Sequence, residues 1–309
     1  MTALRAHHRG GPEVLVVEQA PVPVPAAGEV LVAVHAAAIT FDELTWEETW
    51  TRDGADRTPV VPSHEVSGVI TEIGPGVTGF EPGDEVYGLI DFDRDGAAAE
   101  FVAVPAADLA ARPSTVSHVV AAALPLAGLT AVQALVEHAG VQPGEAVLVH
   151  GGAGGVGALT VQLAAALGAR VTATVRSAAR ELVGDLGAQR VIDVRTQAFE
   201  DSGPYDVVID TVGGATLDRS FGVLPRGGRL ITLSAPPPPG RADASGVTAT
   251  FFIVRPNRDQ LAELAALVDT GRLRVEIAAT FPLEAGREAF ESGRRPGRRP
   301  GKTVLVVRN

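Results

Sequence analysis

The sequence predicts an α/β protein of two parts, a six-stranded doubly wound parallel domain carried as an insert within a β-rich, barrel-like one. Three observations predict it. The hydrophobic period changes near residue 120 from short β-branched runs to alternating helix-length and strand-length stretches. A glycine fingerprint sits at the first strand-to-helix junction of that second region. After Arg272 the chain returns to β character. The expected division is 1–122 with 265–309 for the β-rich part and 123–264 for the insert. Clefts between such domains are where small-molecule sites concentrate.

The first region reads as runs cut by Gly and Pro, EVLVAVHAAAI (29–39), SGVITEIG (67–74), DEVYGLI (84–90) and AEFVAVP (99–105). The intervening PAAGE, GPGVTGFEPGDE and DFDRDGA supply turn residues where loops need them. In the second region the expected order begins with strand 146–150, helix 155–168, strand 170–175, helix 177–187 and strand 190–194. It continues with strand 205–210, helix 214–224, strand 229–234, strand 247–254 and helix 257–270. RVEIAATFPL, a helix over LEAGREAFESG and the strand KTVLVV close the chain.

Composition excludes several chemistries. Among 309 residues there is no cysteine, so disulfides, thiolate nucleophiles, iron–sulfur clusters and thiolate zinc sites are absent. A net charge of −11 disfavours nucleic acid and anionic membrane surfaces as partners. The N-terminal stretch lacks a signal-peptide apolar core, and no apolar run approaches the ~18 residues of a membrane span. The expected location is the cytoplasm.

Gly152, Gly154 and Gly157 form G-x-G-x-x-G between strand AVLVH and helix ALTVQLAAALGA. This is the Rossmann arrangement, in which a tight turn and close backbone approach place a pyrophosphate on the N–H groups of a helix start. Gly152, Ala153, Gly154, Gly155 and Val156 are the expected phosphate contacts. At the end of the second strand, where an NAD site presents Asp or Glu to the ribose, stand Arg176, Ser177 and Arg180. Guanidinium groups and a hydroxyl suit a 2′-phosphate, so NADPH is expected over NADH.

GVQPGEAVLVHGGAGGVGALTVQLAAALGARV, EVSGVITEIGPGVTGFEPGDEVYG and the closing GKTVLVV resemble the medium-chain dehydrogenase/reductase superfamily, specifically its zinc-free quinone oxidoreductase branch. The resemblance covers nearly the whole chain. It implies a GroES-like β-rich domain built from both chain ends around a Rossmann domain, and a homodimer or tetramer, here expected as a homodimer, that reduces quinones or conjugated enones and enals with NADPH. It further implies that Thr130 lies near the nicotinamide and that Asp210, Thr211 and Val212 follow the strand where adenine and ribose pass. By the same resemblance Ser234, Ala235, Phe251, Phe252 and Ile253 flank the nicotinamide, and Lys302 is the lysine of the terminal G-K-x-V-L, grouped with the cofactor site.

Two departures stand out. Thr40 occupies the position of the catalytic zinc's cysteine in the alcohol dehydrogenases and of a common asparagine in quinone reductases. His64-Glu65 keeps a zinc-type pair, but a catalytic zinc needs three protein ligands. No metal is expected, and His64 and Glu65 are read as hydrogen-bonding within the wall of the site. Without a Lewis acid the acceptor must already be electrophilic, as a quinone or α,β-unsaturated carbonyl is. Thr40, Asp42, Trp46 and Trp50 are the catalytic candidates, with Thr40 as donor to the carbonyl, Asp42 orienting a water or the ribose, and the tryptophans walling an aromatic substrate. The tryptophans serve equally as a barrel plug or a dimer contact. Tyr87 and Tyr205 suit no proton-donor role, which leaves solvent. Two rivals remain, a pathway-dedicated enoyl or ketone reductase and an NADPH-binding sensor without turnover.

Overall fold

A computed structural model describes residues 1–176, 179–295 and 297–308. It divides into two compact units, 1–129 with 255–309, and 130–254.

The second unit holds a six-stranded sheet. Its strands lie side by side in the order Arg190–Asp193, Arg170–Val175, Ala146–His150, Val207–Asp210, Arg229–Thr232 and Thr248–Phe251, and every neighbouring pair is parallel. Val147, Leu148, Val149, Val207, Val208 and Ile209 are fully buried, as expected when helices cover both faces of a parallel sheet. The order reverses between Ala146–His150 and Val207–Asp210. That switch point is where open α/β sheets bind ligands, beyond the carboxyl ends of the strands. The helix expected over 214–224 is α-helical only at Ala215–Ser220, with a 3-10 turn at Phe221–Val223.

The first unit centres on Glu29–Ile39, an 11-residue strand with Glu65–Ile73 along one edge and, on the other, Phe101–Pro105 beside its first half and Lys302–Val306 beside its second. Its burial is nearly continuous because both faces are covered. Val30, Val32 and Val34 point into the main core. After a register shift between Val34 and Ala36 the parity reverses, so Ala37 and Ile39 join that core while Ala36 and Ala38 pack beside the helix His118–Ala122. A bulge of one residue has this effect on a period-two strand. The sequence reading did not include the antiparallel pair Thr2–Ala6 and Leu15–Gln19.

The unit boundary differs from the expected one. The break at 264/265 would cut the helix Arg258–Asp269, which belongs whole to the first unit. Its apolar face requires those partners. Leu261 and Leu264 are fully buried, Gly128 leaves room for the Leu264 methyls, and the Tyr87 hydroxyl donates to the Leu261 carbonyl at 2.5 Å. Asn257 caps its start by accepting from the Gln260 N–H. Among the described residues no helix is long and apolar enough to cross a membrane.

Candidate active site

In the second unit the phosphate loop is shaped by contacts that admit no side chain. A Cβ on Gly157 would lie 2.1 Å from the Gly151 carbonyl oxygen, and one on Gly152 would lie 2.8 Å from the Ala173 Cβ. Gly151 itself takes φ of 73°, the left-handed region that favours glycine. Gly154 stands at the N-cap of the helix Gly155–Ala166 with no side-chain cap, and its own Cβ would meet only the Gly151 oxygen at 3.3 Å. The loop thus offers an uncapped helix start behind a crest without side chains, a fit for a pyrophosphate.

His150 organises the base of this loop. Its ring is fully buried, with Nε2 3.0 Å from Ser220 Oγ and Nδ1 3.1 Å from Thr174 Oγ1. Ser220 donates its hydroxyl hydrogen to the Thr216 carbonyl, so it accepts from Nε2–H. Nδ1 then accepts from Thr174, whose oxygen takes the Gly151 N–H at 3.2 Å. Burial pushes the imidazole down to about 4, aided by the Arg219 charge, so the ring is neutral at physiological pH.

Along the strand ends the expected cofactor residues divide. Arg176 is exposed at the end of its strand with no partner among the described residues, and Arg180, also exposed, donates to the Gln197 amide oxygen at 2.9 Å. Ser177 lies outside the described residues. Asp210 corrects an expectation. It is fully buried and its carboxylate accepts from the Val212 and Gly213 N–H groups at 3.1 Å, so it shapes the following turn instead of presenting itself to a ribose. Val212 is exposed on that turn, and Ser234, Ala235 and Ile253 are exposed beyond the next two strands. Phe252 is half-buried with its ring 4.2 Å from that of His138, and Thr130 is buried.

In the first unit the strand register decides the site. Thr303 pairs Ile39, which sets Lys302 across from Thr40, and the Lys302 ammonium donates to Thr40 Oγ1 at 3.3 Å. The same ammonium forms an ion pair with Glu65, which stands one strand further and also accepts from the Leu126 N–H at 3.0 Å. Burial raises the Glu65 carboxyl, and Lys302 opposes that shift. Lys302 was grouped with the cofactor site, but its charge is engaged here by Glu65.

Glu43, which the sequence reading missed, lies in the 3-10 turn after Thr40. Its fully buried carboxylate takes the Ser63 N–H at 3.1 and 3.2 Å. Ser63 reaches it from φ of 71°, a costly conformation for a residue with a side chain. Burial pushes Glu43 up to about 8. His64 is buried against the backbone of Ile90 and Asp91, and burial with the nearby Arg57 charge pushes it down to about 3. Its ring meets Phe92 edge-on at 5.3 Å, and Phe92 meets the half-buried Trp46 at 5.0 Å.

Trp50 is not a substrate wall. It is 2% exposed in the main core, with its indole N–H donating to the Leu44 carbonyl at 3.0 Å. Asp42 is exposed, and its backbone oxygen receives the Thr45 hydroxyl. A zinc ion does not fit these residues. Thr40 is a hydroxyl touched by an ammonium, the Glu65 carboxylate is spent on that ammonium, and His64 alone is short of three ligands. Among the described residues no three His, Asp or Glu side chains converge.

A doubly wound domain with this loop, joined in one chain to a β-rich domain built from two separate stretches, defines a nicotinamide-dependent oxidoreductase. The alcohol dehydrogenase GroES-like domain family matches residues 26–114, and the zinc-binding dehydrogenase family matches residues 186–305. The chain is 36% identical over 259 residues to the 2-methylene-furan-3-one reductase of Solanum lycopersicum, covering 80% of this chain and 63% of that enzyme's length. It is 33% identical over 327 residues to the human mitochondrial NAD(P)H oxidoreductase RTN4IP1, covering 90% and 82%. The structure of the quinone oxidoreductase from Coxiella burnetii superposes with a TM-score of 0.90 at 30% identity, covering 100% and 99%. The chain belongs to the medium-chain dehydrogenase/reductase superfamily, in its quinone oxidoreductase-like branch, and is an NAD(P)H-dependent oxidoreductase.

Proposed function

We propose that the chain is a zinc-independent, NADPH-dependent reductase of quinones or α,β-unsaturated carbonyls, acting as a homodimer in the cytoplasm. The observation that carries this reading is the ammonium at Thr40. Where metal-dependent members hold a thiolate ligand, this chain holds a hydroxyl 3.3 Å from Lys302. A positive charge fixed there repels a second cation.

The reduced nicotinamide supplies a hydride when bound. The chain's own groups do the rest. The N–H groups at Gly155 and Val156 hold the pyrophosphate, the Gly154 N–H closes the turn of Gly152 and Ala153 by donating to the Gly151 carbonyl at 2.9 Å, and the His150–Thr174 link fixes where that turn begins. Arg176 and Arg180 meet the 2′-phosphate. Val212, Ser234, Ala235, Phe252, Ile253 and Thr130 line the path toward the nicotinamide. Thr40 donates a hydrogen bond to the oxygen on which negative charge develops, and such donors suffice for an acceptor that is already conjugated. Trp46 offers a half-buried aromatic face to a planar acceptor.

The test is the initial rate of NADPH and NADH oxidation with a panel of quinones, conjugated enones and simple alcohols or ketones, with and without a chelator. Faster turnover with NADPH, confined to conjugated acceptors and indifferent to the chelator, is expected. Equal rates with an unactivated ketone, or loss of activity on chelation, overturn the reading.

A further inference from the structure

Resting on that reading of Thr40, we propose that Lys302 and Glu65 form a buried positioning device that biases Thr40 toward hydrogen-bond donation, so that its favoured partner is an acceptor such as a carbonyl or enolate oxygen.

A hydroxyl carries one hydrogen and two lone pairs and orients to suit its surroundings, whereas an ammonium carries donors only. Lys302 therefore occupies one lone pair and favours the hydroxyl as a donor. Thr40 Oγ1 accepts from Nζ, and its own hydrogen cannot point back along that contact. No described residue accepts that hydrogen, and the side chain is half-buried, so the O–H is left for a ligand. The ammonium also polarises the hydroxyl, which strengthens its donation.

Each part of the device is pinned. The pairing of Thr303 with Ile39 fixes Lys302 across from Thr40. Lys302 is 8% exposed and Glu65 1% exposed, and the backbone N–H of Leu126 holds the far carboxylate oxygen. Glu65 thus keeps the ammonium directed at Thr40, and without it the ammonium would be buried unpaired. Lys302 touches neither acceptor nor reacting atoms in this arrangement and acts through Thr40.

The experiment compares wild type with Thr40→Val, Thr40→Ser, Lys302→Arg and the paired Lys302→Met/Glu65→Gln, which removes both charges and strands neither. The first readout is the infrared carbonyl stretch of isotopically labelled 2-cyclohexenone bound to each protein. A shift to lower frequency is expected in wild type, Thr40→Ser and Lys302→Arg, and its loss in the other two. The second is single-turnover hydride transfer, expected to slow roughly 10–100-fold in Thr40→Val and in the paired variant, and no further when the two are combined. The third is NADPH affinity by fluorescence titration, expected to be unchanged in the paired variant.

A carbonyl shift that survives removal of the Lys302–Glu65 pair overturns the proposal. So do additive losses on combination, or weakened NADPH binding with hydride transfer intact, which would return Lys302 to the cofactor. A wild-type carbonyl shift that disappears in the variants, in a protein that turns over no acceptor, supports the device and overturns the functional reading on which it rests. Should the paired variant fail to fold, loss of the shift in Lys302→Arg, whose guanidinium is likewise donor-only, overturns the proposal.

Discussion

Replacing Gly154 with alanine separates folding from cofactor binding in a single methyl group. The residue has φ of −74° and ψ of 171°, which alanine adopts freely, and its Cβ would meet only the Gly151 oxygen at 3.3 Å. Losing a glycine restricts the unfolded chain and stabilises by about 0.4–1 kcal/mol. Alanine is a poorer N-cap than glycine by a similar amount, so the two effects nearly offset. The melting temperature should stay within about 4 °C of wild type. Binding should respond very differently, because the methyl stands on the crest over the helix start. One lost charge-assisted hydrogen bond of about 1.5–3 kcal/mol weakens NADPH binding roughly 10–100-fold. Fluorescence titration of NADPH beside a thermal melt reads both quantities. Unchanged affinity in a folded Gly154→Ala would show that no pyrophosphate rests on this crest. Gly157→Ala is the contrast, since its Cβ would lie 2.1 Å from a backbone oxygen and both stability and affinity should fall.

Three further outcomes follow from the same structure. Trp50→Ala should cost about 3–5 kcal/mol, read as a lowered denaturant midpoint, with the acceptor preference of the folded fraction unaltered. Arg176→Ala should lower kcat/KM with NADPH about tenfold or more and leave NADH untouched, and an equal loss with both cofactors would remove the 2′-phosphate assignment. Glu43 predicts a pH dependence of stability. Its carboxyl is raised from 4.5 to about 8, so between those values the unfolded chain releases a proton that the folded one keeps, and stability falls as pH rises through that window. Glu43→Gln should match wild type near pH 4 and exceed it by roughly 3–5 kcal/mol above pH 8, as denaturant melts across the range would show. A constant difference between the two proteins over that range would mean that Glu43 ionises normally in the fold.

Much of the site's first half was legible in the sequence. Gly152, Gly154 and Gly157 carry their meaning in a local spacing, and the flanking AVLVH and ALTVQLAAALGA show which element precedes and which follows. Arg176 and Arg180 are named from their distance past the second strand, and both side chains are exposed there. Asp210 was misread because position in the chain places it at a strand end but does not say which way its carboxylate turns, and two backbone N–H groups turn it inward. Trp50 lies so close to Trp46 that the two read as one aromatic wall. The short helix Glu47–Trp50 buries the last of them in the core and leaves Trp46 half-exposed.

The sequence by itself determined the class of both units, the succession of strands and helices in the wound domain and the glycine spacing of its first loop, because these follow from periodicity and spacing within short stretches of chain. Only the tertiary structure decided the character of Thr40. Lys302 lies 262 residues away along the chain and Glu65 belongs to a third strand, so no local pattern joins them. Strand register brings the three together, and burial then sets which charges must pair. The same holds for Glu43 and Ser63, where an acid in an ordinary-looking turn becomes a buried proton carrier only because the fold excludes water from it.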